Sequence, residues 1–222
     1  MAAAGPERGI DGATDRHAAI RPARVGIFGG SFDPPHVGHL LAASDAVEAL
    51  DLDRLLFVPA AAQPLKHVGR EPAPPALRIA MLGALVGGDP RFAIDALEID
   101  RGGLSYTVDT LDTVAARWPG TQQFLLVGAD VLNTFAKWRE PLRVRALATL
   151  VVLVRALDGG RASEHDHVAS ADLPGGLPRL LPTRRVDVSS TEVRARVAAG
   201  RSVRGFVPDA VAEIIRDGLL YQ

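Results

Sequence analysis

The chain has no cysteine, which excludes a disulfide framework, a thiolate zinc site and a cysteine nucleophile together. Lysine is almost missing as well: of 25 basic residues only Lys66 and Lys137 are lysines, and the other 23 are arginines. Abundant Ala, Gly and Pro alongside that skew suggest a GC-rich coding sequence, against which a lysine is less expected as surface filler. That draws attention to Lys66. No apolar run approaches the ~20 residues of a membrane span. The net charge of −1 argues against a broad nucleic-acid-binding surface. Neither G-x-G-x-x-G nor G-x-x-x-x-G-K-[ST] occurs, so neither a dinucleotide fingerprint nor a P-loop is supported. Met1 to Ala23 lacks the continuous apolar segment of a secretory signal and reads as a disordered tail. The cytoplasm is the expected compartment.

What remains is ample for one compact domain over residues 24–222. The hydrophobic fraction of 47% supports a sizeable core. Strand and helix patterns alternate, which predicts an α/β fold: a doubly wound parallel sheet with helices on both faces and a small C-terminal helical part. Expected strands are Arg24–Phe28, Arg54–Val58, Phe92–Ile99, Gln123–Val127 and Thr149–Val154. Expected helices are His36–Leu50, Ala76–Val86, Thr107–Arg117, one beginning at Asp130–Phe135, Thr191–Ala199 and Asp209–Arg216. Ala60–Pro75 and Arg155–Pro178 read as loops, the second long enough to suggest function or mobility.

The most informative stretch is Gly26-Ile27-Phe28-Gly29-Gly30-Ser31-Phe32-Asp33-Pro34-Pro35-His36-Val37-Gly38-His39. It reads as a strand, a glycine-rich turn and a helix opened by two histidines. Amides at such a turn and helix start have no intrahelical partner and make an anion site. Histidines at i and i+3 share a face, so His36 and His39 can reach one anion. A zinc site needs a third ligand, and none sits nearby at the customary spacing. His165-Asp166-His167 also lacks metal-ligand spacing. A second candidate is Ser189-Ser190-Thr191-Glu192-Val193-Arg194, a helix start with hydroxyls and an arginine one turn on. Read in isolation, it is better explained as an ordinary cap with a surface arginine.

Gly29 to His39 matches the G-x-F-D-P-x-H-x-G-H signature of the nucleotidyltransferase superfamily, and Ser189 to Arg194 matches its S-S-T-x-[IV]-R motif. Three further blocks narrow the likeness: Ser105-Tyr106-Thr107-Val108-Asp109-Thr110-Leu111; Gly128-Ala129-Asp130 with Phe135 and Trp138; and Ser202-Val203-Arg204-Gly205-Phe206-Val207-Pro208. Together they resemble the bacterial nicotinate-nucleotide adenylyltransferases over nearly all of Arg24 to Leu220. The resemblance implies a Rossmann-like sheet. It also implies transfer of the adenylyl group of ATP, with Mg²⁺, to nicotinate mononucleotide, giving the dinucleotide and pyrophosphate.

On that resemblance His36, His39 and Arg194 are catalytic. ATP is held by Gly29, Gly30, Ser31, Phe32, His36, His39, Asp130, Ser189, Ser190, Thr191 and Arg194, with Asp130 on the ribose. The mononucleotide meets Lys66, Tyr106, Thr107, Asp109, Trp138 and Arg155, with Trp138 against the pyridine ring and Lys66 at the phosphate. Two departures stand out. Pro64-Leu65-Lys66 replaces the usual Pro-His-Lys, and Arg155-Ala156-Leu157 replaces Arg-Pro-Gly. Alternative readings are an adenylyltransferase for nicotinamide mononucleotide or phosphopantetheine, and a non-catalytic nucleotide sensor. Neither nucleic acid nor membrane is an expected partner.

Overall fold

The computed structural model describes residues 21–65, 71–155 and 173–222, with only the backbone of Arg155. Six strands form one parallel sheet: β1 (Arg24–Gly30), β2 (Arg54–Pro59), β3 (Phe92–Ile94), β4 (Gln122–Gly128), β5 (Thr149–Arg155) and β6 (Arg179–Thr183). Their order is β3-β2-β1-β4-β5-β6, that of a Rossmann-like doubly wound sheet. β1 lies at the centre, with Ile27 opposite Leu56 of β2 and Leu125 of β4.

Residue alternation explains why both faces are covered. Val25, Ile27, Leu56, Val58, Leu125, Val127, Leu150 and Val152 point to one side. They pack beneath α3 (Leu97–Arg101), α4 (Thr107–Arg117) and α5 (Pro141–Leu147), which contribute Leu97, Leu111, Val114 and Val144. Phe28, Leu55, Phe57, Phe124, Leu126 and Val151 point to the other side. There they meet α1 (Val37–Leu50), α2 (Pro75–Val86), α6 (Ser190–Ala198) and α7 (Asp209–Asp217). A parallel sheet buried on both faces needs these near-continuous apolar strands.

Several expectations are corrected. The strand expected over Phe92–Ile99 stops at Ile94, because the Asp95 carboxylate accepts the Leu97 amide at 3.2 Å and starts α3 instead. The helix expected from Asp130 is two short 3₁₀ turns, Ala129–Asn133 and Phe135–Lys137; α5 follows at Pro141. β6 was not expected at all: its RLLPT sequence contains a proline, which edge strands tolerate. Residues 21–23, assigned to the tail, are tied to the body. Arg21 donates to the Pro119 carbonyl at 2.6 Å, Thr121 donates to Pro22, and the Gln122 amide donates to Ala23. Residues 1–20, the rest of the expected tail, lie outside the described residues, as does most of the Arg155–Pro178 stretch.

Candidate active site

The strand order reverses direction between β1 and β4, and their carboxyl ends open a crevice there. The turn leaving β1 carries Phe32 at φ 47°, a left-handed conformation uncommon outside glycine. Its ring is buried at 1% exposure, so packing holds the backbone in that state. The chain then enters α1 through His36, whose extended backbone makes it the residue preceding the first helical turn.

His36 and His39 are brought together as the spacing requires. Their rings stack with centroids 3.8 Å apart and planes 30° apart. Gly38 between them permits this, since a Cβ there would stand 3.0 Å from His36 Nδ1. Phe28 and Phe32 back the His39 ring at 6.0 and 5.1 Å. The His36 amide donates to His39 Nδ1 at 3.2 Å. An acceptor at Nδ1 places the proton of the neutral imidazole on Nε2. Burial, and then the neighbouring His36, hold the His39 pKa well below the ordinary 6.5. His39 is therefore a neutral Nε2–H donor at physiological pH.

The start of α6 forms the facing wall and is fastened to the same turn. Ser189 caps α6, its hydroxyl accepting the Glu192 amide at 3.1 Å. Ser190 Oγ donates to the Pro34 carbonyl at 2.8 Å. Arg194 donates to the Asp33 carbonyl at 2.7 Å and to Thr191 Oγ1 at 3.0 Å. The Val37 amide donates to the Phe206 carbonyl, so the Ser202–Pro208 block also grips the start of α1. His36, His39, Ser190, Thr191 and Arg194 thus surround one turn, although 150 residues of sequence separate the two motifs.

The opposite rim follows from β4 and from the loop after β2. Asp130 lies in the 3₁₀ turn beyond β4. Its Oδ1 would stand 2.7 Å from a Cβ at Gly128, so the glycine lets the carboxylate fold back over the strand end. Trp138 is half-buried and contacts Phe135 with centroids 5.3 Å apart. Tyr106 and Thr107 open α4. The Arg139 guanidinium lies 4.9 Å from the Tyr106 ring centre and 3.5 Å from Asp109, so Asp109 faces an arginine. Ala60 donates to the Gly30 carbonyl, Ala61 to Ser105 Oγ at 2.9 Å, and Ser105 to the Ala62 carbonyl. The Ser105–Leu111 block is thereby connected to the glycine turn. Lys66 and the side chain of Arg155 lie outside the described residues.

Several residues that shape the site escaped the sequence reading. Arg78, a lone cation on the apolar face of α2, is 1% exposed and donates to the carbonyls of Ser31 and Ala73. Its isolation among Leu, Ile and Met was the available signal. Glu98, 7% exposed, accepts the Thr110 hydroxyl at 2.5 Å beneath the Ser105–Leu111 block. Burial raises its pKa, against which the hydroxyls of Thr110 and Ser105 act. Arg139 adjoins Trp138 in sequence, and Tyr221 gave no signal at all. Among the described residues no group of three or more His, Cys, Asp or Glu could hold a metal ion. No helix among them is long and apolar enough to cross a membrane.

Residues 27–196 match the cytidylyltransferase-like family. A Gemmatimonas aurantiaca protein named a probable nicotinate-nucleotide adenylyltransferase is 49% identical over 200 residues, covering 90% of this chain and 92% of its own. A Thermus thermophilus protein of the same name is 45% identical over 199 residues, covering 90% of this chain and all of its own. Among solved structures, a Plasmodium falciparum nicotinic acid mononucleotide adenylyltransferase complexed with NaAD superposes with a TM-score of 0.66. It is 16% identical, covers 89% of this chain and 97% of its own, and bears on the fold alone.

Proposed function

The chain belongs to the cytidylyltransferase-like family, and from that premise we propose that it is a nicotinate-nucleotide adenylyltransferase, joining ATP to nicotinate mononucleotide. The observation that carries the chemistry is the stacked His36–His39 pair held on the same turn as Ser190 and Arg194. Two donor sets from distant sequence converge where a triphosphate would lie. The acceptor assignment rests on the names of relatives that match 90% of the chain.

The attacking group is the mononucleotide phosphate, whose second pKa of about 6 leaves it mostly dianionic at neutral pH. No general base is needed. An oxygen of that phosphate forms a bond to the α-phosphorus of ATP as the bond to the β-phosphate oxygen breaks, and pyrophosphate leaves with the electron pair. The task of the protein is to align two anions and stabilise the charge that builds on the α-phosphoryl oxygens. A neutral His39 with its proton on Nε2 suits that task, since it donates without surrendering a proton. His36 would donate beside it. The amides of the glycine turn and the α6 start would take the β- and γ-phosphates, with Arg194 as a planar cation at their edge.

Asp130 is assigned to the ribose, and Trp138 with Tyr106 and Thr107 to the pyridine ring. Lys66 and Arg155 keep their assignment to the mononucleotide phosphate. Mg²⁺ enters as part of the substrate, bound to the triphosphate. Because the reaction consumes ATP, we place the enzyme in the cytoplasm.

Coupled pyrophosphate release from ATP tests the reading, run against a panel of nicotinate mononucleotide, nicotinamide mononucleotide and phosphopantetheine. The expected result is turnover with a preference for the nicotinate acceptor. A preference for either other acceptor reassigns the substrate. ATP binding without turnover of any acceptor removes the enzymatic reading.

A further inference from the structure

The carboxylate of Asp33 has no role in the phosphate chemistry above, yet it is among the most buried charges in the described structure. It is 4% exposed, and its Oδ1 accepts two hydrogen bonds, from the Ala73 amide at 3.0 Å and from the Tyr221 hydroxyl at 2.7 Å. Arg78, also buried, lies in the fields of both Asp33 and Tyr221. Burial lowers its pKa and the Asp33 charge opposes that shift. Arg78 in turn donates to the Ser31 carbonyl, two residues before Asp33. The main chain here is gripped as well: Arg194 donates to the Asp33 carbonyl and Ser190 to the carbonyl of the next residue, Pro34.

The manner in which Tyr221 reaches Asp33 is the second observation. Beyond α7 the backbone turns back through Leu219 at φ 49° and Tyr221 itself at φ 64°. Neither is glycine, and side chains rarely adopt that region. Leu219 is 71% exposed and does not hold the turn by burial; Leu220, at 9%, packs into the core cluster under α2. The same turn that buries Leu220 therefore also brings the Tyr221 hydroxyl to the Asp33 carboxylate, three residues before His36.

We propose that Tyr221 is a positioning residue: its hydroxyl holds the Asp33 carboxylate and so fixes the backbone that presents His36 and His39. Tyr221 contacts no substrate. It acts by immobilising the turn between the glycine pair and α1, where a shift of about 1 Å is enough to cost a large factor in rate. The kinetic part rests on the adenylyl-transfer reading; the structural part does not.

Tyr221→Phe keeps the ring and removes only the hydroxyl. Two readouts decide the proposal. In the adenylyl-transfer assay, kcat per folded molecule falls about tenfold while KM for ATP and for the mononucleotide stays within twofold. In the ligand-free protein, the ¹⁵N signals of the His39 ring, assigned by their loss in His39→Gln, shift as the Nδ1 contact with the His36 amide loosens. A merely structural tyrosine would lower the melting temperature and leave both unchanged. If either kcat or the His39 signals are unaltered, the proposal is overturned. Should the wild-type protein show no adenylyl transfer, the functional reading falls alone, and the ring signals still decide whether Tyr221 holds the turn.

Discussion

His39 shows how much a single contact can decide. The His36 amide at its Nδ1 selects the tautomer, and burial keeps the ring uncharged. His39→Ala removes a donor that matters most when charge builds on the phosphoryl group, so kcat falls on the order of 10²-fold with little change in KM. His39→Gln, which can present an N–H near the position of Nε2, recovers part of that loss; steady-state kinetics on both variants checks it. Stability responds to pH through the same group. With the folded pKa well below 6.5, the unfolded chain takes up the proton first on acidification. The stability contributed by His39 is complete above about pH 6.5 and is lost as the pH falls from there toward the folded value. Urea denaturation at successive pH values shows this as a slope that flattens in His39→Gln. The two histidines were legible in the sequence because their spacing and the glycine turn point to one anion. The contacts of Asp33 with Ala73 and Tyr221 were not, because those partners lie 40 and 188 residues away and no local pattern marks such a meeting.

At the scale of elements, the central strands and long helices were legible from period alone, and the short elements were not. α4 runs over Thr107–Arg117 as its pattern predicts, and β4 exceeds its expected span by one residue at each end. α3 was concealed because Asp95, whose carboxylate accepts the Leu97 amide, sits inside an apolar run that also suits a strand. That small helix matters, since it carries Glu98 beneath the start of α4. Ser105 joins three segments there: its hydroxyl accepts the Ala61 amide, its own amide donates to Ala62, and it supports the Glu98 carboxylate. Ser105→Ala leaves the Ala61 amide without that acceptor and withdraws one donor from Glu98. The expected cost is about 1–3 kcal/mol in denaturant unfolding. KM for the mononucleotide rises more than KM for ATP, because the loop after β2 and the Tyr106–Thr107 rim lose their common anchor. Equal changes in both constants would show that the anchor serves the whole crevice.

Over the whole molecule, the sheet works as a plate with its chemistry at one end and its stability on both faces. The alternating pattern foretold that arrangement, since parallel strands joined through helices leave their carboxyl ends together. The assembly of the crevice could not be read the same way: the Gly29–His39 and Ser189–Arg194 motifs are adjacent only because α6 returns across the sheet to Asp33 and Pro34. The same organisation bears on the metal. Among the described residues no acidic or histidine cluster could bind an ion independently of a nucleotide. On the proposed role of Mg²⁺ as part of the nucleotide substrate, chelation with EDTA should abolish turnover and leave the melting temperature of the ligand-free protein within about a degree. MgATP at about 100 times its Kd should stabilise the fold by about 2.7 kcal/mol, read as an upward shift in a thermal scan.

The two outermost strands bear on a different hazard. β3 is only three residues long, and β6 carries Pro182, which has no N–H to donate to a ladder. Unpaired strand borders invite other chains to add on and polymerise. Here one border is too brief and the other is interrupted, so neither supplies a continuous template. Crowded copies of this protein are accordingly protected from growing into a shared β-structure, a safeguard encoded in one short strand and one imino acid.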